Sequence, residues 1–531
     1  MDDTSKKRPF RKITLQGIGI ASANILLFTA SILWTYTTTI VSVSPYGIFR
    51  LLIAGIILIA AATWITNRYQ GSNKWAVFGG STAVTLMLIT PPVFKVFLIT
   101  YIFGGILVFV IFYRIYKTNK ITFNLVFFFH ISITLFILFG SNRVLFTEIQ
   151  KVNWKDYFES LNSMESVTVP PPQNSLPDIY YIVVDGYGRK DVLQTYYGYD
   201  NTEFLSFLTE AGFVIPKKAN VNYPKTALSI VSTLNMDYVP NFIQGVNDSA
   251  FWWLSTPFLE NSRTFLYLES VGYHIISLET DWMITNLNNS GLTNQILASG
   301  INEFEGFYIR AAPLRIFLPL FNVFFPIPSN ETHRASIHNS FKTLQILPQS
   351  TTGPKFVFAH IVTPHPPFVF DSRGNALAYR DMYTFFDGSD YPGSKSEYRE
   401  GYIAQLQYTN TLLKETIRTI LEFSSSPPII IIQADHGPGM LSDFDSLGNT
   451  CLHERFSAFA AYYLPGIQPS QVADDMTPVN IFRLVLSTYV FADSANFQPI
   501  ENNYFYPKDA IRIFQFDELT FEQVNAPCPA P

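Results

Sequence analysis

The chain has 531 residues, a formal net charge of −5 at pH 7 and 48% hydrophobic residues, which are densest in the first 150 positions. That is too long for one ordinary domain, and the two ends differ so much in composition that they belong in different solvents. No basic patch or Arg-rich run marks the rest, which argues against a nucleic-acid partner. Two cysteines, Cys451 and Cys528, make no disulfide framework and leave a single bridge open.

Five apolar stretches, roughly 15–38, 46–66, 75–91, 94–113 and 121–141, each approach the length that crosses about 30 Å of hydrocarbon. The third is short and runs into Pro91-Pro92. Lys6, Lys7, Arg8, Arg11 and Lys12 precede the first stretch, Arg68 and Lys74 follow the second, and Arg114, Lys117 and Lys120 follow the fourth. All three clusters then share one side, which the positive-inside rule makes cytoplasmic, and everything after about residue 145 falls outside. The first stretch lacks a small-residue cleavage site, so a removable signal peptide is not expected. The spans hold one histidine, His130, and few acidic residues, which disfavours a transporter's ion relay.

The expected organisation is a multi-pass transmembrane domain over 1–145, a linker over 146–176 and an outer domain over 177–531. Val169-Pro-Pro-Pro-Gln-Asn-Ser-Leu-Pro177 reads as a stiff spacer within the linker. Beyond it, strands at 179–184, 273–278, 355–361, 428–433 and 458–464 alternate with helical patterns at 201–211, 226–236, 263–271, 333–346, 399–422 and 477–491. That alternation predicts an α/β domain, a mostly parallel sheet with helices on both faces. The stretch 366–400, rich in Pro, Gly, Asp and Tyr, reads as a long loop at the sheet edge.

Two strands end in metal-type ligands. Ile179-Tyr-Tyr-Ile-Val-Val runs into Asp185-Gly, and Ile429-Ile-Ile-Ile-Gln-Ala runs into Asp435-His436-Gly. An apolar run that stops at Asp before Gly is what the C-terminal edge of a parallel sheet looks like, and open α/β sheets keep their sites there. Carboxylate with imidazole suits a cation such as Zn²⁺ or Mn²⁺. Between them, Asn222-Tyr-Pro-Lys-Thr226 leads into an apolar helical face of Ala227, Leu228, Ile230, Val231 and Leu234. Thr226 is there either an ordinary N-cap or a hydroxyl held where a phosphate-like group would bind.

Four histidines gather near strand ends in the last third of the chain: His360, His365, His436 and His453. His360 lies on a strand, as a core residue or a ligand. His365 stands between prolines past that strand, stiffly displayed. Cys451-Leu-His453-Glu-Arg455 follows the Asp-His-Gly strand and is expected to bring His453 and Arg455 back over the same edge. His274, His333 and His338 carry no motif.

In this order, Asp185, Thr226 and Asp435-His436 make the outer half resemble the alkaline phosphatase superfamily, in its sulfatase-like branch. With the five spans, the whole chain resembles the membrane-bound lipoteichoic acid synthases and phosphoethanolamine transferases. The resemblance implies an acidic residue, a Thr nucleophile and an Asp-His pair on one catalytic metal, matching Asp185, Thr226, Asp435 and His436. Thr226-Ala-Leu-Ser229 is similar to the Thr-x-x-Ser run of the transferases. The C/S-x-P-x-R motif of true sulfatases does not occur, so the fold name carries no substrate. Asp-His-Gly-Pro-Gly replaces the commoner Asp-His-Gly-Glu, and two cysteines cannot supply the disulfides frequent in the phosphoethanolamine transferases.

The chemistry this implies uses one divalent ion, Zn²⁺ or Mn²⁺, held by Asp185, Asp435 and His436, with the Thr226 hydroxyl as the reactive ligand. His360, His365, His453 and Arg455 are the candidate substrate-binding residues. The expected activity is transfer of a phospho-alcohol group, of phosphoethanolamine or phosphoglycerol type, from a lipid in the outer leaflet of the plasma (inner) membrane to an envelope lipid or glycan. A phosphate- or sulfate-ester hydrolase and a metal-free binding relative are the alternatives.

Overall fold

The computed structural model describes residues 15–38, 48–70, 74–88, 152–164, 176–246, 252–278, 329–350, 353–377, 383–444, 446–491, 495–508 and 513–528, with isolated positions elsewhere. The chain divides into two compact units. One comprises Met1–Ile149 with Gly300–Ile327, the other Gln150–Ser299 with Pro328–Pro531.

The first unit holds helices α1 (Leu15–Thr38), α2 (Phe49–Gln70) and α3 (Lys74–Leu88), which overlap the stretches 15–38, 46–66 and 75–91. Among the described residues one helical stretch, Phe49–Tyr69, is long and apolar enough to cross a membrane; Gly17–Leu33 is shorter. The expected spans 94–113 and 121–141 fall outside the described residues, Ile131 excepted. A polar knot joins the three helices: Asn24 Nδ2 donates to Ser81 Oγ at 3.0 Å, and Thr63 Oγ1 to the same oxygen at 2.9 Å. Between apolar helices, such hydrogen bonds and close packing hold the bundle. Gly55 permits that packing, since a Cβ there would lie 2.0 Å from the Phe28 ring.

The second unit begins with α4 (Trp154–Met164), inside the stretch expected to be a linker. Its buried face explains why it folds: Tyr157 packs on Phe258 and donates to the Leu254 carbonyl at 3.1 Å. After it come β1 (Ile179–Val184), α5 (Lys190–Tyr197), α6 (Thr202–Glu210), α7 (Thr226–Asn235), α8 (Arg263–Ser270) and β2 (His274–Ser277). Then follow α9 (Asn330–Ser350), β3 (Lys355–Ile361), α10 (Lys395–Phe423) and β4 (Ile429–Gln433). Next come α11 (Leu452–Phe456), β5 (Ala460–Tyr463), α12 (Pro478–Val485) and an antiparallel pair of β6 (Tyr504–Pro507) and β7 (Phe516–Leu519), followed by one helical turn, Phe521–Val524.

The main sheet has the order β2-β3-β1-β4-β5, parallel except for β5 at its edge, which runs antiparallel to β4. Strands buried on both faces read as unbroken apolar runs, as β1 and β4 do. Their alternate side chains feed two cores. Ile179, Tyr181 and Val183 pack with Phe356, Phe358, Ile431 and the α7 residues Leu228, Ile230 and Leu234. Tyr180, Ile182 and Val184 pack with Val357, Ile430, Ile432 and the apolar faces of α9 and α10. The expected helix over 477–491 is α only to Val485 and closes in a π turn over Leu486–Val490. Cys451 and Cys528 are joined in a disulfide across 77 residues of sequence.

Candidate metal centre

Each candidate ligand stands where an element ends. β1 and β4 run side by side with Ile179 opposite Ile429 and Val183 opposite Gln433. Continued at the same offset, that register sets Asp185 beside Asp435, just past the C-terminal edge. On the other flank β3 sets His360 opposite Val183. Because strand side chains alternate, Asp185, His360 and Asp435 share the face that α7 covers.

Thr226 is the first residue of α7. The cap position belongs to Lys225, which is extended and makes no side-chain cap. The N-cap reading of Thr226 therefore does not describe the structure, and its hydroxyl lies 3.1 Å from His436 Nε2 instead. His436 Nδ1 lies 2.9 Å from the Gly437 carbonyl oxygen. A carbonyl only accepts, so Nδ1 carries the proton and Nε2 presents a lone pair to the site. Burial, and then Arg455, lower the proton affinity of this ring and favour the neutral, ligating form.

Around His436 Nε2 three oxygens converge: Thr226 Oγ1 at 3.1 Å, Asp435 Oδ2 at 3.3 Å and Asp185 Oδ1 at 3.4 Å. Asp185 Oδ1 and Asp435 Oδ2 are fully buried with no hydrogen-bond partner. Buried carboxylate oxygens without partners are costly, and a cation is the usual remedy. Four tetrahedral ligands at the 2.0–2.1 Å bond lengths of zinc stand about 3.3 Å apart. The three observed separations are of that size, so the donor set fits a divalent ion.

His360 adds a second arm. Its Nε2 is buried without a hydrogen bond and lies 3.3 Å from Asp185 Oδ2, while Nδ1 faces Thr285 Oγ1 at 2.7 Å and Trp282 meets the ring edge-on. Donor atoms of Asp185, His365 and His436 form one group within 4.8 Å, and those of Asp185, His360 and Asp435 another, with Asp185 common to both. Burial alone would raise the Asp185 carboxyl, but the imidazoles of His365, His360 and His436 outweigh it and hold the group well below the usual range.

A second ring of side chains fixes the first. His365 Nδ1 lies 2.6 Å from the Pro366 carbonyl oxygen, and its Nε2 lies 3.6 Å from Asp387 Oδ2. Asp387 also accepts from Tyr398 Oη at 2.7 Å and Arg455 Nη1 at 2.7 Å. Burial opposes its charge, but His365 and Arg455 hold its carboxyl down at about 2. Arg455 donates further to the carbonyls of Pro224 at 2.9 Å and Gly437 at 3.1 Å, so one guanidinium ties the turn before Thr226 to the turn after His436. Phe444 lies beneath Arg455 and, at 3.5 Å from ring centroid to Nζ, against Lys225.

The structure gathers Asp185, Thr226, His360, His365, Asp435 and His436, with Arg455 behind them. It does not bring His453 into this cluster, contrary to expectation. Both its ring nitrogens are engaged elsewhere, Nδ1 with Tyr196 Oη at 3.0 Å and Nε2 with Asp191 Oδ2 at 3.0 Å and Arg189 Nη2 at 3.4 Å. α11 is a single turn, and consecutive residues on it face different ways, so His453 and Arg455 diverge. Sequence reasoning does not single out Asp387 or Glu454. Asp387 lies within the loop 366–400 without a motif of its own; Glu454 sits between two candidate residues. Glu454 accepts from Tyr197 Oη and the Leu441 amide, each at 2.7 Å, and burial pushes its carboxyl up to about 8.

No protein-family model matches the chain, and no curated protein matches it in sequence. Among solved structures, the chain is similar to the C-terminal periplasmic domain of EptC from Escherichia coli, with 11% identity over 64% of this chain and 93% of that one and a TM-score of 0.41. It is similar to the integral membrane lipooligosaccharide phosphoethanolamine transferase A from Neisseria meningitidis, with 12% identity over 89% and 94% of the two chains and a TM-score of 0.39. A protein in the alkaline phosphatase superfamily from Vibrio parahaemolyticus gives 11% identity over 67% and 82% of the two chains and a TM-score of 0.36. Likeness at this level says nothing about chemistry, which has to be read from the residues themselves.

Proposed function

We propose that the chain is a membrane-anchored, metal-dependent transferase that moves a phospho-alcohol group from an outer-leaflet lipid through a phospho-Thr226 intermediate. The observation that carries this reading is the set of three oxygens, from Thr226, Asp185 and Asp435, at 3.1–3.4 Å from the unprotonated nitrogen of His436. Two of those oxygens are buried and otherwise unpartnered. Asp185, Asp435 and His436 would hold the ion, and Thr226 would complete its shell. A bound Zn²⁺ or Mn²⁺ would ease deprotonation of the Thr226 hydroxyl and polarise a phosphoryl oxygen.

The chain's own groups account for the rest. Thr226 Oγ1 attacks the lipid phosphorus; the new O–P bond forms as the bond to the diacylglycerol oxygen breaks. His365, with one nitrogen fixed on Pro366, offers the other for moving the proton from Thr226 to that leaving oxygen. In the second half, an acceptor hydroxyl attacks the same phosphorus, the Thr226 O–P bond breaks, and the acceptor's proton returns by the reverse route. Arg455, anchored on Asp387, supports both turns that bear the reacting groups. The apolar helices of the first unit, and the positive clusters that orient them, support a multi-pass anchor with the catalytic unit outside.

The test is peptide mapping around Thr226 after the full chain, in detergent with Zn²⁺ or Mn²⁺, meets phosphatidylethanolamine and phosphatidylglycerol in separate incubations. The reading predicts a mass addition on Thr226 whose size names the transferred group, absent in Thr226→Ala. An adduct that decays in water as fast as with any acceptor would make the enzyme a hydrolase. No adduct from either lipid in a metal-loaded chain would refute the transferase reading.

A further inference from the structure

Helix α10 leads back to the start of β4, so it runs against the parallel strands and its first turns lie at their C-terminal edge. Tyr398, Tyr402, Gln405 and Thr409 on it are each 2% exposed or less. Their spacing of four, three and four residues sets them on one helix face. A buried polar stripe is costly unless its groups are bonded, and here the bonds go to the turns that carry the candidate ligands.

Tyr398 Oη accepts from the Gly439 amide at 3.0 Å and donates to Asp387, joining the turn after His436 to the carboxylate that holds Arg455. One helical turn on, Tyr402 Oη donates to the Gly186 carbonyl and accepts from the Gly188 amide, both at 3.0 Å, and so closes the turn after Asp185. Gln405 takes the segment around His365. Its Nε2 donates to the carbonyls of His365 at 3.0 Å and Pro367 at 3.4 Å, and its Oε1 accepts from the Val369 amide at 2.7 Å. Thr409 Oγ1 donates to the Gln405 carbonyl at 2.8 Å, so towards Thr363 Oγ1, also at 2.8 Å, it is the acceptor.

This grip reaches the donor atoms. Gly186, fixed by Tyr402, gives its amide to Asp435 Oδ1 at 3.3 Å, which leaves Oδ2 to the centre. The amide of His365, whose carbonyl Gln405 holds, goes to the Asp185 carbonyl at 3.1 Å. The turns that follow β1, β3 and β4 are thus fastened to one helix as well as to each other.

We propose that this stripe is the positioning framework of the metal centre, with Tyr402 as its central residue. This rests on the metal reading given above and adds the residues that set the ligands at the separations an ion needs. Groups behind the ligands govern how tightly a metal is held, and the stripe acts through the backbone of the ligand turns.

The test measures the Zn²⁺ affinity of the full chain in detergent by competition with a chromophoric chelator, beside the melting temperature of each metal-free variant. Tyr402→Phe and Tyr398→Phe keep the rings and delete the hydroxyls. Tyr402→Phe is expected to weaken Zn²⁺ binding about 10- to 100-fold and Tyr398→Phe about 10-fold. Tyr157→Phe is the control, since it deletes a buried hydroxyl bonded to the Leu254 carbonyl; it should lower the melting temperature yet keep the affinity within about twofold. Should Tyr402→Phe fail to fold, Tyr398→Phe carries the comparison alone. Wild-type affinity in the folded stripe variants, or an equal loss in Tyr157→Phe, would overturn the inference and leave the metal centre standing. A wild-type chain that binds no Zn²⁺ would overturn both.

Discussion

The Thr226 hydroxyl sits at the first residue of a helix whose cap is another residue, so its removal disturbs no capping bond. Thr226→Ala should therefore leave the melting temperature within about 2 °C while lowering turnover about 10³-fold or more, and Thr226→Ser should keep a measurable fraction. Asp387 presents the opposite case. It neutralises Arg455 in a buried setting, and Asp387→Asn would strand that guanidinium at a cost of about 3 kcal/mol, read as a loss in denaturant midpoint. Glu454 supplies the pH signature. Its folded carboxyl is raised by burial to about 8, above the unfolded value, so the native state binds the extra proton. Its contribution to stability is complete below the unfolded pKa and is lost as pH rises towards 8. Between pH 5 and 8.5 the wild type should lose about 5 °C more than Glu454→Gln.

At the scale of elements, the centre depends on a register and two tight turns. The parallel pairing of β1 with β4 carries the same offset that separates Asp185 from Asp435, so two distant strand ends become neighbours. Gly437 follows His436 because a Cβ there would lie 1.9 Å from the Glu454 carbonyl oxygen, and at Gly439 it would lie 2.4 Å from the Asp387 carboxylate. Gly437→Ala should displace His436 and cost metal retention as well as about 2 kcal/mol of stability, both measurable on one preparation. The disulfide pins the C-terminal tail to the residue just before α11. Replacing both cysteines by serine should cost up to about 4 kcal/mol for a loop of this length.

The same elements differ in how far the sequence alone reveals them. Unbroken apolar runs ending in Asp-Gly and Asp-His-Gly are local signals, and they mark β1, β4 and the candidate ligands at their ends directly. The helix start at Thr226 is equally local, though its neighbour Lys225 holds the cap. His453 is misplaced by sequence reasoning because its direction depends on the rotation of one short helical turn, which no periodicity encodes. Asp387 is illegible for a different reason: its role comes from Arg455, His365 and Tyr398, which converge on it only in the fold. The helix α4 is hidden in a stretch whose charges and prolines suggest a spacer.

For the whole molecule, a cation centre at the ends of β1, α7 and β4 would bind together segments some 250 residues apart, so a bound ion should stabilise the second unit as well as activate it. Chelation should lower its melting temperature by about 5 °C or more, reversed by Zn²⁺ or Mn²⁺. Inductively coupled plasma mass spectrometry of the purified full chain, after supply of both metals and exhaustive dialysis, tests the centre most directly. The account predicts about one divalent ion per chain, falling below about 0.1 when Asp185→Asn and Asp435→Asn are combined in a variant that stays folded. A folded wild-type chain that retains no metal, or a double variant that retains as much as the wild type, would contradict it.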